Sequence, residues 1–182
     1  SSDDGHGERQ IVATYDYRDE TGNLLFQVIR FEPKEFRQRR PDGHGGWSWS
    51  LGGVRRTVYR LDELAEQRTV FIVEGEKDAD RLWTVGIPAT TNPGGALKWR
   101  EEYTKQLKAA GVDQVVIIPD NDKPGQEHAL AVARSCLVAG FSVKIVRLPG
   151  LSPKGDLSDW LDAGHTKEEL VEIVKAVPGA TE

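Results

Sequence analysis

The sequence is short of several things. Its 182 residues hold one cysteine, Cys136, and no methionine. A single thiol excludes an internal disulfide framework and any cysteine-rich zinc site within the chain. It also makes a reducing, cytoplasmic setting the default. Without methionine there is no initiator residue, so the expectation is a fragment or a processed chain. No apolar run approaches the ~18–20 residues of a membrane span. The polar start, Ser1 to Gln10, is neither a signal nor a transit peptide. Histidines are few, and His44, His128 and His165 have no partners at metal-ligand spacing. What remains is an ordinary globular balance, 38% apolar and 29% charged, enough for one domain or one domain with a small appendage.

Charge is present but unevenly placed. The net charge of −5 argues against generic nucleic-acid binding. Yet Arg30, Lys34, Arg37, Arg39, Arg40, Arg55, Arg56 and Arg60 lie in one segment with only Glu32, Glu35 and Asp42 among them. From Val70 onward acids outnumber bases, which gives a basic front and an acidic back.

The hydrophobic period changes at the same place. Ile11–Tyr17 and Leu24–Phe31 alternate as strands, joined by the turn-prone 19–23. Pro33–Gly46 reads as a polar stretch with a turn at Pro41-Asp42-Gly43 and a flexible tip, Gly43–Gly46. Trp47–Leu51 is a third short strand, and Val54–Leu64 leads into a short helix. From Thr69 onward, strands at 70–73, 87–91, 114–118 and 142–148 alternate with helices at 78–85, 97–110 and 124–139. Thr166-Lys167-Glu168-Glu169 reads as a capping box opening a last helix. Alternation at this spacing predicts an α/β fold, a mostly parallel four-stranded sheet flanked by helices. The expected organisation is a disordered lead (1–10), a small β-rich basic subdomain (11–68) and an α/β domain with a C-terminal helix (69–182). Cys136, on the core face of the 124–139 helix, reads as inert.

Parallel sheets place functional groups just past the carboxyl ends of their strands. The first strand of the second part runs into Glu74-Gly75-Glu76-Lys77-Asp78, the third into Pro119-Asp120-Asn121-Asp122, and the fourth, after a loop, into Gly155-Asp156-Leu157-Ser158-Asp159. Carboxylates converging on one edge repel unless a cation sits among them. Oxygen-only ligands favour a hard ion, Mg²⁺ or Mn²⁺. Ser158 or Asp159 reads equally well as the cap of a short helical turn.

Glu74-Gly75 in the first strand–helix turn, followed by Asp120-x-Asp122 after a later strand, resembles the TOPRIM domain shared by topoisomerases and bacterial-type primases. Asp78 matches the additional acid of the primase version. Asp156 and Asp159 resemble the last acidic motif of primases, with two residues between them where one is common. Thr91–Ala96 and Pro119–Gly125 look like phage and mobile-element primases and primase–helicases. Tyr15, Arg37–Arg40 and Gly53–Arg56 are similar to the small subdomain that precedes TOPRIM there. The resemblance covers about residues 11–165.

The resemblance implies a metal-dependent nucleotidyltransferase that joins nucleoside triphosphates into a primer on a single-stranded DNA template. Two or more Mg²⁺ or Mn²⁺ ions are expected, and in primase–helicases a helicase as partner. It implies Glu74 as general base or metal-ordering residue and Asp120 and Asp122 as central ligands. Asp78, Asp156 and Asp159 become outer or second-metal ligands. Lys77, Lys123 and the backbone at Gly94 and Gly95 would meet the triphosphate. Arg37, Arg39, Arg40, Arg55 and Arg56 would meet DNA phosphates. Trp47 and Trp49 share a parity; core packing is the expected role and base stacking the alternative. A TOPRIM nuclease and a non-catalytic DNA-binding module of a replication protein are the competing functions.

Overall fold

A computed structural model describes residues 8–181. The lead expected over residues 1–10 falls, up to Gly7, outside the described residues, and Gln10 already opens the first strand. The front half is an antiparallel sheet of β1 (Gln10–Arg18), β2 (Leu24–Glu32), β3 (Glu35–Pro41) and β4 (Trp47–Ser48), in that spatial order. The alternation of β1 and β2 sends Tyr15, Tyr17, Phe26 and Val28 to one buried face. Tyr17 stacks on Phe26 with centroids 4.6 Å apart.

The polar stretch read at 33–46 contains β3, which sequence reasoning missed. Its residues carry no apolar alternation, so no period was there to see. Pairing with β2 decides it instead, with Arg39 opposite Gln27 and Arg37 opposite Ile29. The tip beyond it is tied: Asp42 Oδ1 accepts from His44 N and Gly46 N at 2.7 and 3.0 Å. The third strand is shorter than read, since only Trp47 and Ser48 pair, and the helix expected near Leu64 is a single 3-10 turn at Leu61–Glu63.

The back half holds β5 (Thr69–Ile72), α1 (Glu76–Thr84), β6 (Ala89–Thr90), α2 (Glu101–Ala109), β7 (Gln114–Ile117), α3 (Lys123–Val138), β8 (Ser142–Ile145), α4 (Leu157–Asp162) and α5 (Lys167–Ala176). The four strands are all parallel, in the order β6-β5-β7-β8. The α/β class and its flanking helices are as the sequence predicts. The expected strand at 87–91 shrinks to two residues.

The helix read at 97–110 begins only at Glu101. Gly94, Gly95 and Leu97 have φ of 89°, 80° and 64°, which no helix tolerates. That turn is held by Asn92 Nδ2 on the carbonyls of Pro93 and Gly95, and by His128 Nδ1 accepting from Leu97 N at 2.9 Å. Burial drives the His128 pKa down to about 4, which keeps the imidazole neutral and able to accept. On α3 the predicted core residues Ala129, Val132, Ala133 and Cys136 are buried, while Leu137 is only partly so.

One core runs through both halves. Tyr15, Tyr17, Phe26 and Val28 pack with Phe71, Val73, Val116 and Ile118. Each such side chain contributes roughly 1.5–3 kcal/mol when fully buried. Among the described residues no helix is long and apolar enough to cross a membrane.

The strand order carries the functional geometry. From β5 the chain crosses outward to β6, and from β7 it crosses the other way to β8. Strand order therefore reverses between β5 and β7, and a crevice opens beyond their carboxyl ends. Ile72 is in register with Ile117, so Glu74 and Asp120 leave the sheet side by side.

Candidate active site

At the crevice, Glu74 Oε2 accepts the Asp120 backbone N–H at 2.6 Å. Around them a cavity of about 190 Å³ is lined by Glu74, Glu76, Lys77, Asp78, Asp120 and Asp156 from the parallel half, with Tyr15, Arg30, Lys34 and Phe36 from the antiparallel sheet. The Asp120 carboxylate receives no hydrogen bond from the described residues. Burial, then the charges of Glu74, Asp78, Asp156 and Asp122, push its pKa up to about 8. Burial raises Asp78 to about 6 and also raises Glu74. The donors are all carboxylate oxygens, the chemistry of a hard divalent cation. No three His, Cys, Asp or Glu side chains among the described residues close around a single point. This donor set fits an ion that draws only some of its ligands from protein.

The other acids have other commitments. Asp122 caps α3, with Oδ1 accepting from Gly125 N at 2.7 Å. Asp156 and Asp159 form a capping box on α4, in which Asp156 Oδ1 accepts from Asp159 N and Asp159 Oδ2 accepts from Asp156 N. Asp156 still lines the cavity, whereas Asp159 is exposed outside it. The cap of α4 is thus Asp156, not the Ser158 or Asp159 that the sequence suggested; Asp159 is its partner in the third helical position, and Asp156 serves as cap and cavity wall at once. Asp78 Oδ1 accepts both the Ser158 N–H, at 3.2 Å, and the Ser158 hydroxyl, which fastens α1 to the start of α4.

Several positioning residues had only faint signals in the sequence. Asn121, between the two motif aspartates, donates from Nδ2 to the carbonyls of Leu151 and Ser152 at 3.0 and 3.1 Å, and so staples the loop that delivers Asp156. Gly125 sits in the first turn of α3. A Cβ there would lie 2.5 Å from the Asp120 carbonyl and 2.7 Å from Glu74 Oε2. A glycine where alanine favours helix was the only hint. Glu76, buried, accepts from the Tyr17 hydroxyl at 2.6 Å and ties the two sheets together beside the cavity. Arg30 and Lys34, which the sequence shows only as charge, line the cavity with the acids.

The predicted cationic residues divide. Lys77 lines the cavity, 3.4 Å from Asp156. Lys123 is exposed beside Glu127, away from it. Gly94 and Gly95 line a neighbouring cavity of about 520 Å³ with Arg37 and Arg56. The five arginines form no single patch. Arg55 is bidentate to Glu20 at 2.6 Å. Arg40 donates to the Ser50 carbonyl, and Arg56 to those of Gly52 and Val54. Arg37 and Arg39 stack on Trp49 and Trp47. The tryptophans expected in the core are instead exposed, at 38% and 40%, although Trp49 also packs against buried Phe31 with ring centroids 6.0 Å apart.

Comparison with known proteins fits this geometry. A DNA primase of Chlamydia muridarum is 31% identical over 123 residues, 65% of this chain and 20% of that protein. The fold matches the Aquifex aeolicus primase, zinc-binding and RNA polymerase domains, with a TM-score of 0.69 at 20% identity over 92% of this chain and 40% of that one. It also matches a DnaG primase catalytic domain bound to ssDNA, with a TM-score of 0.67 at 21% identity over 91% of this chain and 53% of that one. The chain thus spans about a fifth of the curated primase. The family described as Toprim-like matches residues 71–161. That match runs from within β5 to within α4 and takes in both strand ends at the crevice, and the chain belongs to the Toprim-like family.

Proposed function

We propose that this chain is the metal-dependent catalytic core of a DNA primase, joining nucleoside triphosphates on a single-stranded DNA template. The observation that carries the reading is the Asp120 carboxylate. It has no donor of its own, it is flanked by Glu74, Asp78 and Asp156, and it faces Arg30 and Lys34 across one cavity. Acids beside cations suit a substrate that brings both a metal and phosphates. The names of the primase relatives support the same reading.

Asp78, Asp120 and Asp156 would hold Mg²⁺ or Mn²⁺, with Asp122 beside them through the oxygen its cap leaves over. When bound, such ions neutralise triphosphate and pyrophosphate charge and favour ionisation of the attacking 3′-hydroxyl. Glu74 is the base for that proton. Its Oε2 is fixed by the Asp120 N–H, Oε1 is left to accept, and burial makes the group more basic than an ordinary carboxylate. Arg30, Lys34 and Lys77 take the phosphate oxygens, and the Gly94–Gly95 turn brings backbone close to them. Asp159 acts by holding Asp156 through the capping box. In this reading the protein works in the cytoplasm, with a helicase as a partner in the longer protein or complex.

The test is incubation with single-stranded DNA, labelled nucleotides and Mg²⁺ or Mn²⁺, with products resolved by size. Elongated, chelator-sensitive products are expected. Shortened DNA would make the chain a nuclease, and binding with no product would make it a non-catalytic module.

A further inference from the structure

The proposed catalytic reading leaves one feature of the antiparallel sheet unused. Arg39 lies over Trp47 at 4.1 Å and over Trp49 at 5.3 Å, and Arg37 lies over Trp49 at 4.6 Å. The order Trp47, Arg39, Trp49, Arg37 is a ladder of planar groups on the surface. Both tryptophans stay well exposed, and neither arginine shares an ion pair with any described acid.

The ladder is built, not draped. Arg39 Nε donates to Gln27 Oε1 at 2.8 Å, and Gln27 Nε2 donates to Asp16 Oδ1 at 2.7 Å. The guanidinium plane is thereby set by a buried amide, while its terminal nitrogens have no acceptor among the described residues. The tied tip at Asp42–Gly46 fixes where Trp47 leaves the turn.

Position adds to chemistry. Trp49 and Arg37 form part of the wall of the 520 Å³ cavity that also contains Phe36, Glu76 and Gly94. Phe36 and Glu76 in turn belong to the wall of the acidic cavity. The two cavities thus adjoin, with Phe36 and Glu76 as their common wall. Here β3 has an open edge, because β4 pairs only with Arg40 and Pro41.

We propose that the Trp47–Arg39–Trp49–Arg37 ladder is a stacking platform for the bases of single-stranded nucleic acid, leading the strand into the crevice. This rests on the reading that the chain acts on single strands. An acidic peptide would satisfy the arginines but would give the indole of Trp47, at the end of the ladder, nothing to stack on. A single strand supplies planar bases and phosphates at alternating positions, and so matches both members of the ladder.

The test is binding of a labelled oligothymidylate, followed by fluorescence anisotropy over a salt series. Trp47→Ala should weaken binding roughly 5- to 100-fold, the worth of one base–aromatic stack, without changing the salt slope. Trp47→Phe should restore most of the affinity. Arg37→Ala should weaken binding and flatten the salt slope by about 0.7, the share of one phosphate on a single strand. Trp47→Ala binding like the parent, or Trp47→Phe failing to rescue, would overturn the platform. So would a polyglutamate peptide that displaces the oligonucleotide from the parent with equal strength at equal charge. Primer synthesis is assayed in parallel. A parent that binds through Trp47 yet makes no primer leaves the platform standing and removes the catalytic reading. A parent that makes primer but ignores Trp47 does the reverse.

Discussion

The two sheets handle charge in opposite ways. The parallel sheet gathers acids at one crevice, where burial and then the neighbouring carboxylates raise the pKa of Asp120, which goes without a donor. The antiparallel sheet takes a run of bases of similar size and scatters it. One arginine is neutralised by Glu20, two are spent on backbone carbonyls, two are stacked on indoles, and Arg30 is turned toward the acids. Strand ends in a parallel sheet all open on one edge, so like groups placed there must meet. Residues along an antiparallel strand alternate faces and end at different turns, so neighbours in sequence separate in space. A cluster of charge in sequence is therefore a site only where the topology brings its members together.

Loss of one acid should break the comparison most severely. Asp120→Asn or Glu74→Gln is expected to lower primer extension by at least ~10²–10³-fold, because charge stabilisation at the reacting phosphates is removed. Metal-free thermal stability should stay level or rise for Asp120→Asn, since like-charge strain is relieved. Early unfolding of that variant would instead make Asp120 a structural residue.

The next largest effect concerns the backbone that packs the acids together. Gly125→Ala pushes a methyl against Glu74 Oε2 and the Asp120 carbonyl. Overpacking of this kind costs about 1–3 kcal/mol. Denaturant unfolding and the extension assay should both register it, although alanine is the better helix former. Tyr17→Phe tests the junction of the sheets, because it leaves the buried Glu76 carboxylate without its hydroxyl donor. Its expected cost is about 1–3 kcal/mol, read in the same unfolding experiment.

The acidic crevice also predicts a pH dependence that the basic sheet does not. In chelator, Asp120 and Asp78 hold protons in the folded chain up to about pH 8 and about pH 6. The unfolded chain releases them near pH ~4. Their contribution to stability is complete below that pH and is lost as pH rises through the folded values. His128, lowered to about 4, acts in the opposite sense below its unfolded pKa of ~6.5. The clean window is therefore about pH 7–8.5, where stability should fall with rising pH in the parent and stay flat in Asp120→Asn. Mg²⁺ should reduce the slope in the parent. The smallest effect belongs to Arg55→Ala, which breaks an exposed pair with Glu20 and should cost under ~1 kcal/mol. It should leave binding of single-stranded DNA almost unchanged, in contrast to Arg37→Ala.

The sequence by itself determined the parallel half and the identity of its acids. Buried strands there are short apolar runs, and the residues just past each run must lie at the sheet edge, so Glu74 and Asp120 are placed by the sequence alone, whereas Asp156 follows β8 only after a loop. It did not determine β3. A strand with a single large apolar side chain, Phe36, has no hydrophobic period, and only pairing with β2 creates it. It did not determine the fate of Trp47 and Trp49 either. Shared parity says that two residues face one way, but not whether that way is the core. Tertiary structure alone decided that Arg30 and Lys34 share a cavity with the acids, that Asn121 holds the loop before Asp156 while Ser158 binds Asp78, and that Arg55 is already neutralised. Each of these depends on bringing together residues roughly 30 to 130 positions apart. The spacing of residues along a chain carries no information about such contacts until the two sheets close on their common core.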